Sequence, residues 1–278
     1  MAVTEWEWDE TLYAGSAPYY AVGRMPYPPE LAEAIGAELG LDGRGRLLDV
    51  GCGPGSLTLV LAPLFEAVVG VDADRGMVAE ASRRAREAGV TTARWVHARA
   101  EELPPDLGTF RVATFAQSFH WMDRSAVAER VRGLLEPGGV WLHVGATTHQ
   151  GVDGDDPLPR PRPPWDRINT LVAEYLGPVR RAGQSALPQG TRSGEDEVMR
   201  RAGYSGPTRF EVGGDRVVDR SVDQITAGVF SLSSSAPHLF GAELPGFEAD
   251  LRRLLTEASD DGWFAERTRP IAVLIWRP

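Results

Sequence analysis

Leu-Leu-Asp-Val-Gly-Cys-Gly-Pro-Gly, residues 47–55, is the stretch that decides the fold. Its apolar start predicts a buried strand, Leu47–Val50, and its glycines predict a tight turn into a helix that begins at Ser56. Asp72 follows the next apolar run, where a second strand ends. A glycine turn at a helix N-terminus lets a ligand lie against bare backbone, and an acid at this spacing is suited to bind both hydroxyls of a ribose. The stretch therefore predicts a nucleotide-type ligand site in an α/β protein.

The alternation of strands and helices continues along the chain. Predicted strands are Leu47–Val50, Ala67–Val71, Ala93–His97, Arg111–Ala116, Val140–Gly145, Phe210–Val212 and Ile271–Trp276. Predicted helices are Pro29–Leu39, Ser56–Phe65, Arg75–Ala88, Arg124–Leu135, Trp165–Leu176, Ser193–Ala202 and one around Phe247–Ala258. This rhythm indicates a parallel sheet with helices on both faces.

Composition shifts predict four segments. Residues 1–45 begin with an aromatic stretch, and we expect them to cover the ligand site. Residues 46–150 are the regular core, which we expect to carry that site. Residues 151–205 start with a Pro-, Asp- and Gly-rich linker and continue as helical cover, and 206–278 hold the last strands with an inserted helical cover at 221–262. Trp6, Trp8, Trp121 and Trp165 fall in the expected cover or rim of the site.

The bulk composition bounds the class of partner. Of 278 residues, 42% are hydrophobic, and the formal net charge is −10. A chain this acidic repels phosphates, so we expect a small-molecule partner rather than nucleic acid or an anionic membrane. No lysine is present, which excludes lysine-based chemistry, and the single cysteine, Cys52, suits a reducing compartment. The start of the chain lacks the features of a signal peptide, so we expect a cytoplasmic protein. We also expect a monomer or a homodimer.

The glycine loop distinguishes between two cofactor classes. A dinucleotide fingerprint, G-x-G-x-x-G, would place glycine at position 56, where this chain has Ser56. The observed G-x-G-x-G resembles motif I of the class I S-adenosylmethionine (SAM)-dependent methyltransferases. The resemblance continues through VVGVDAD (68–74), RAEELP (99–104), AQSFHWMD (116–123) and LLEPGGV (134–140). It implies a Rossmann-like seven-stranded sheet whose final strand is antiparallel.

The resemblance also implies roles for individual residues. Backbone at Gly51 and Gly53 would meet the methionyl part of SAM, and Asp72 would meet the ribose. The adenine would lie near Ala73, Met77, Ala100 and Glu101, and the sulfonium near Gln117. Asp49 belongs to the same motif, either as a ligand contact or as an anchor for the loop. One departure is Arg99, because many relatives carry Asp there to accept from the adenine amino group.

A narrower resemblance precedes the sheet. Tyr20-Ala-Val-Gly-Arg24-Met-Pro-Tyr27-Pro is similar to the Y-x-x-x-R-P-x-Y-P segment of a bacterial small-molecule subgroup, type 11-like, whose fourth strand is followed by Q-x-F-H-W. In that subgroup the segment folds over the cofactor. Arg24 is then expected to bind the methionyl carboxylate. A surface salt bridge is the alternative role for Arg24.

The acceptor site should lie where the strands end. His120 follows the fourth strand and is the predicted acid/base, because the pKa of imidazole lies near neutrality. Tyr20 is predicted to act with it, and Tyr19, Trp121 and His149 are predicted to contact the acceptor. Each of these side chains could instead serve in packing. No cluster has metal-ligand spacing, so no metal is expected.

Three functions fit these residues. The first is methyl transfer from SAM to a small aromatic or heteroaromatic metabolite of specialised metabolism, indole-type carbon included, by in-line displacement. The second is carboxylate O-methylation, similar to trans-aconitate methyltransferase, with Arg24, Arg160 or Arg162 supplying positive charge. The third is SAM binding without methyl transfer.

Overall fold

The computed structural model describes residues 9–179, 181–182, 185–186 and 194–278. Its strands are β1 (Arg46–Val50), β2 (Ala67–Asp72), β3 (Ala93–His97), β4 (Phe110–Ala116), β5 (Leu135–Gly145), β6 (Arg181–Ala182), β7 (Ser185–Ala186), β8 (Ser205–Val212), β9 (Val217–Ser221), β10 (Trp263–Arg267) and β11 (Ile271–Arg277). Its α-helices are α1 (Ala17–Gly23), α2 (Pro29–Leu39), α3 (Ser56–Leu61), α4 (Arg75–Glu87), α5 (Arg124–Arg132), α6 (Trp165–Leu176), α7 (Glu195–Arg201), α8 (Val222–Phe230) and α9 (Leu244–Ala258). Trp6, Trp8 and Ser193, the predicted first residue of a helix, lie outside the described residues.

The central sheet confirms the predicted class. Seven strands lie in the order β3-β2-β1-β4-β5-β11-β8, and β1 to β5 pair in parallel. The last strand, β11, is antiparallel to both neighbours and lies between β5 and β8. Apolar clusters cover both faces of the sheet, so the carboxyl ends of β1, β2 and β4 are held side by side.

Two predicted helices are shorter than expected. The helix predicted over Ser56–Phe65 ends at Leu61 and continues as a 3-10 turn, Ala62–Leu64, because Pro63 lacks the N–H that an α-helix needs. The helix predicted over Arg124–Leu135 ends at Arg132, since Leu135 already pairs with Phe110 as the first residue of β5. Sheet pairing therefore overrides the helical pattern there.

A second apolar core lies in the cover. Helices α6, α8 and α9 pack around Phe230, Phe240, Phe247, Leu251 and Phe264, which are all buried. Helix α1 crosses α8 so closely that a Cβ at Gly23 would lie 2.2 Å from the carbonyl carbon of Ala227. The cover is thus a packed layer of its own, and glycine at position 23 lets the N-terminal helix join it. None of the helices in the described ranges combines the length and apolar composition needed to cross a bilayer.

A buried ion pair links the cover to the loop after β5. Arg220 of β9 and Glu266 of β10 lie 2.7 Å apart, and both side chains are 4% exposed. Arg220 also donates to the carbonyls of His149 (2.8 Å) and Gly23 (2.6 Å). Oε1 of Glu266 accepts from the backbone N–H of Gly151 (2.8 Å) and from the Trp165 indole (2.9 Å). One pair of charges therefore joins α1, α6, the two-stranded sheet of β9 and β10, and the loop after β5.

Stability should depend on pH through His143, which is buried in β5 among Phe115, Phe119 and Trp141. Burial lowers its pKa from 6.5 to about 3, so the unfolded chain takes up a proton below pH 6.5 that the native chain does not. The native state then loses up to about 1.4 kcal/mol per pH unit as the pH falls from about 6.5 towards 3. His143→Leu should remove this loss.

Urea unfolding of the wild type and of His143→Leu at pH 7.5, 6, 5 and 4.5 measures the effect. The difference in unfolding free energy should move in favour of the variant as the pH falls. Parallel pH curves for the two proteins would contradict the assignment.

Candidate cofactor site

The glycine loop is shaped by backbone that only glycine adopts easily. Gly51, Gly53 and Gly55 have φ values of 68°, 54° and 73°. The N–H groups of Gly51 and Cys52 donate to the carbonyl of Val71 at 2.8 and 3.0 Å, which fixes the loop to the end of β2. A Cβ at Gly51 would lie 2.4 Å from Cβ of Ser118, whereas a Cβ at Gly53 would meet no atom within 4 Å. Gly53 therefore faces open space.

Asp72 ends β2 directly beside this loop. Its carboxylate accepts from the backbone N–H groups of Gly53 and Asp74, each at 2.8 Å. Burial raises the pKa of Asp72 to about 6, against the two N–H groups that favour its charge, and the ionised form still predominates at neutral pH. Asp74 in turn caps α4 by accepting from the N–H of Met77 at 2.9 Å. The acid is thus held in place by backbone and aimed past the glycine loop.

Gln117 follows β4 with a φ of 55°, the left-handed region that disfavours side chains other than glycine. The hydroxyl of its neighbour, Ser118, donates to the carbonyl of Val50 at 2.7 Å and ties the end of β4 to the end of β1. Strain of this kind persists where the surroundings enforce it, and it clusters at ligand sites. Gln117 is exposed and lies next to the loop.

These strand ends enclose a main cavity of about 680 Å³. It is lined by Tyr13, Tyr20, Val50, Gly51, Gly53, Val71, Asp72, Ala73, Met77, Ala98, Arg99, Ala100, Glu101, Ala116, Gln117, Ser118, Trp121 and Met122. A second cavity of about 820 Å³ shares five of these residues, namely Tyr20, Gly51, Gly53, Ala116 and Gln117. The two cavities therefore meet at the glycine loop and at the end of β4.

Most residues predicted to hold the cofactor lie on these walls. Gly51, Gly53, Asp72, Ala73, Met77, Ala100, Glu101 and Gln117 line the main cavity. The Glu101 carboxylate is already engaged, since it accepts from the N–H of Asp123 at 2.8 Å and pairs with Nε of Arg99 at 3.5 Å. Arg99 also lines the cavity, so a donor stands at the position where many relatives carry an acid.

Asp49 lies below the loop instead of in the cavity. It is 1% exposed, and its oxygens accept from the hydroxyls of Thr58 (2.5 Å) and Thr114 (2.9 Å). Burial raises its pKa to about 6. The geometry supports the role of an anchor between β1, α3 and β4, and the predicted ligand contact has no support.

Arg24 lines the second cavity at the end of α1. Its Nε donates to Oγ of Ser231 at 2.7 Å, its Nη2 donates to the Ser231 carbonyl at 2.9 Å, and its guanidinium lies 4.5 Å from the Tyr20 ring centroid. The cover thus holds a cation beside Gly51 and Gly53. This position is compatible with the expected contact to a carboxylate of the cofactor, which stays a prediction.

The residues predicted to handle the acceptor separate into two groups. Tyr20 and Trp121 line the main cavity, with Tyr13 set edge-on against both, at 6.2 and 6.4 Å between ring centroids. Sequence reasoning did not single out Tyr13, for which the aromatic composition of its segment is the available signal. Tyr19 packs on Phe230 in the cover core at 5.0 Å, because adjacent residues of a helix point about 100° apart.

His120 and His149 line neither cavity. His120 lies in a 3-10 turn with its ring 4.6 Å from that of Trp121, and burial together with Arg124 lowers its pKa to about 4. The imidazole is therefore neutral at pH 7, but it is a weak base. His149 faces Trp165 at 6.4 Å. Within the described residues, no three His, Cys, Asp or Glu side chains come together as ligands of a metal would.

The fold and the site together define a class of protein: an α/β nucleotide-binding domain with a glycine loop and an acid at the end of the second strand. Residues 47–139 match the family of methyltransferase domains. Among solved structures, the [4+2]-cyclase SpnF shares the fold at a TM-score of 0.53 and 19% identity, over 96% of this chain and 94% of that one. A SAM-dependent methyltransferase of Geobacter sulfurreducens, in complex with S-adenosylhomocysteine, shares it at a TM-score of 0.50 and 16% identity, over 96% of this chain and 98% of that one.

Residues 47–139 are thus a methyltransferase domain, and the class I SAM-dependent methyltransferase family is the one that this match and the curated relatives support. Among curated proteins it is similar to the uncharacterized methyltransferase YcgJ of Bacillus subtilis, at 35% identity over 121 residues, which are 40% of this chain and 48% of that protein. The aligned region thus spans about half the length of the curated relatives it matches. SAM is the cofactor of this family, and the open backbone at Gly53 and the ionised Asp72 fit it.

Gly53 offers a test of ligand binding that is separate from folding. Gly53→Ala adds a methyl group where both cavities meet, and a left-handed alanine costs roughly 1–2 kcal/mol. We expect the affinity for S-adenosylhomocysteine in calorimetry to fall at least about tenfold, or about 1.4 kcal/mol.

Gly138→Ala is the matched control for this change. Gly138 has a φ of 82° and no atom within 4 Å of an added Cβ, and it lies near the start of β5, outside the linings of both cavities. It should show a similar loss of stability with unchanged affinity. Equal affinities for the two variants would contradict the placement of the ligand at Gly53.

Proposed function

We propose that this protein transfers the methyl group of SAM to a small, largely apolar acceptor with an aromatic or heteroaromatic ring, indole-type rings included. The observation that carries the proposal is the second cavity, which includes Gly51, Gly53 and Gln117 and is lined by aromatic and apolar side chains beside Arg24 and Arg84. These side chains are Tyr20, Met25, Pro26, Tyr27, Leu57, Leu59 and Val60. Flat apolar molecules suit such walls.

When bound, SAM would supply a methyl group on a sulfonium: an acceptor atom would bond to the methyl carbon in line as the carbon–sulfur bond breaks and S-adenosylhomocysteine leaves. In this chain Asp72 and the glycine loop hold the donor side, and Arg24, fixed by Ser231, places a positive charge beside the loop. Tyr20 belongs to both cavities, so its hydroxyl can accept a hydrogen bond from an acceptor group whose proton leaves to water. Aromatic faces at Tyr13, Tyr20 and Trp121 favour a nearby cation.

Carboxylate methylation has less support in this pocket. Arg160 pairs with Asp219 and Asp261, and Arg162 with Asp156 and the Val152 carbonyl. Neither arginine lines the main or the second cavity. Arg24 is the one of the three predicted cations that lines the second cavity. Arg84 lines it too, with Nη1 donating to the Pro54 carbonyl at 2.7 Å. The third function, SAM binding without transfer, has one favouring observation: the same fold occurs in a protein described as a [4+2]-cyclase.

Incubation with methyl-labelled SAM and a panel of phenols, indoles and carboxylic acids separates these functions. The proposal expects label in a phenol or indole product together with stoichiometric S-adenosylhomocysteine. Label found in carboxylic acids alone would show that the acceptor is a carboxylate and would contradict the proposed aromatic acceptor. Tight SAM binding with no labelled product from any compound would favour binding without transfer.

His120 and Tyr20 are separated by a pair of variants in the same assay. Because Tyr20 lines both cavities and His120 lines neither, Tyr20→Phe should lower kcat at least about tenfold for an acceptor that loses a proton, whereas His120→Ala should stay within about threefold. A larger loss in His120→Ala than in Tyr20→Phe would restore His120 as the base.

The remaining expectations concern binding partners, cellular location and oligomeric state. We propose a small-molecule acceptor without nucleic acid, in the cytoplasm, as a monomer or homodimer. The net charge of −10 and the single cysteine support this proposal.

A further inference from the structure

A third cavity of about 530 Å³ lies at the same edge of the sheet, beside β5, β11 and β8. Four loops build it: the chain after α1, the end of β5, the β8–β9 turn and the β10–β11 turn. Its wall is mostly apolar, from Met25, Pro26, Pro28, Val218 and Ile271. It shares Met25, Pro26 and Thr148 with the second cavity, and the N–H of Met25 donates to the Thr148 carbonyl at 2.7 Å. A thin wall therefore separates the two cavities.

The charge on this wall is opposite to that of the chain. Two arginines, Arg216 and Arg269, line the cavity, and no acidic side chain does among the residues that the structure describes. The chain as a whole has 39 acids against 29 basic residues, so two cations without an acid run against its composition. The site is thus locally suited to an anion.

Neither guanidinium is saturated within the described part of the chain. Nε of Arg269 is buried and has no hydrogen-bond partner there, and its Nη2 lies 3.7 Å from Asp153, whose side chain is 83% exposed. Arg216 comes no closer than 4.0 Å to Glu30, which is also exposed. These separations exceed a hydrogen bond, and exposed pairs of this kind contribute little. Both groups retain donors for a further acceptor.

We propose that the third cavity binds a small organic carboxylate with an apolar body. Arg216 and Arg269 hold the carboxylate, for which a planar guanidinium has matching donors, and the apolar wall covers the body. None of its lining residues lines the main cavity, so the proposal stands or falls independently of the proposed function.

Calorimetry with 3-phenylpropionate, in the absence of SAM, tests the proposal. We expect saturable binding at least about tenfold tighter than that of the neutral analogue 3-phenylpropanamide, and at least about tenfold weaker binding in Arg216→Gln/Arg269→Gln. Arg209→Gln/Arg277→Gln is the matched control, because it removes the same charge from exposed positions of β8 and β11 outside the cavity. Its affinity should equal that of the wild type.

A second variant keeps both arginines. Thr268 lines the cavity, and Thr268→Glu would place a carboxylate of the chain itself beside them, so 3-phenylpropionate should bind at least about tenfold more weakly. No binding by the wild type, equal binding of acid and amide, or wild-type affinity in the arginine variant or in Thr268→Glu would each overturn the proposal. Inorganic phosphate that binds as tightly as 3-phenylpropionate would also overturn it, since the apolar wall would then contribute nothing.

Discussion

Asp72→Ala is expected to weaken binding of S-adenosylhomocysteine at least about 100-fold, while the protein stays folded. The carboxylate is ionised at neutral pH and stands at the end of β2 in the main cavity. Two hydrogen bonds from ligand hydroxyls to a charged acceptor contribute about 1.5 kcal/mol each, which together correspond to about 100-fold in affinity. Asp72 also accepts from the N–H of Gly53, so its loss also loosens the glycine loop.

Calorimetry with two further variants sets the scale of this effect. Asp72→Asn keeps one acceptor oxygen but loses the charge, and it should fall between the wild type and Asp72→Ala. Asp106→Ala removes a carboxylate from an exposed position ahead of β4 and should bind like the wild type. An affinity of Asp72→Ala within threefold of the wild type would show that the ligand lies elsewhere.

Glu266→Ala is expected to lower the free energy of unfolding by about 3–5 kcal/mol. The substitution leaves the Arg220 guanidinium buried without its counter-charge, and it removes the acceptor for the Gly151 N–H and the Trp165 indole. A buried charge without a partner costs far more than a surface pair contributes. Chemical denaturation followed by circular dichroism measures the loss.

Asp219→Ala is the control in the same two-stranded sheet of β9 and β10. Asp219 pairs with Arg160 at an exposed position, so its loss should cost less than about 1 kcal/mol. The double variant Arg220→Met/Glu266→Leu should recover part of the stability lost in Glu266→Ala, because it removes both charges together. A cost below about 1 kcal/mol for Glu266→Ala would mean that water reaches the pair.

Local sequence patterns predicted the sheet, and they predicted that the glycine loop and Asp72 lie together, as they do on the wall of the main cavity. A glycine loop, its preceding strand and Asp72 lie close together along the chain, so spacing alone places them at one edge. Whether the Asp49 carboxylate faces the cavity or the protein interior could not be predicted in this way. Its partners, Thr58 and Thr114, come from different elements, and their hydroxyls turn it away from the cavity.

The acceptor side was harder to predict for the same physical reason. Tyr19 and Tyr20 are adjacent in α1, yet only Tyr20 faces the main cavity, because the crossing of α1 over α8 sets the rotation of the helix. The pair Arg220–Glu266 and the cavity at Arg216 and Arg269 join segments that are far apart in sequence. No local periodicity encodes such contacts.

The register of β8 against β11 has a further consequence. Val212, the last residue of β8, is paired directly with Ile271, the first residue of β11, so the chain between them leaves and re-enters the sheet at one rung of the ladder. Residues 213–270 can therefore lengthen, shorten or change composition without shifting any strand that carries the donor site. The segment meets the donor side through α1, where Ser231 holds Arg24, while the sheet that presents the glycine loop stays the same.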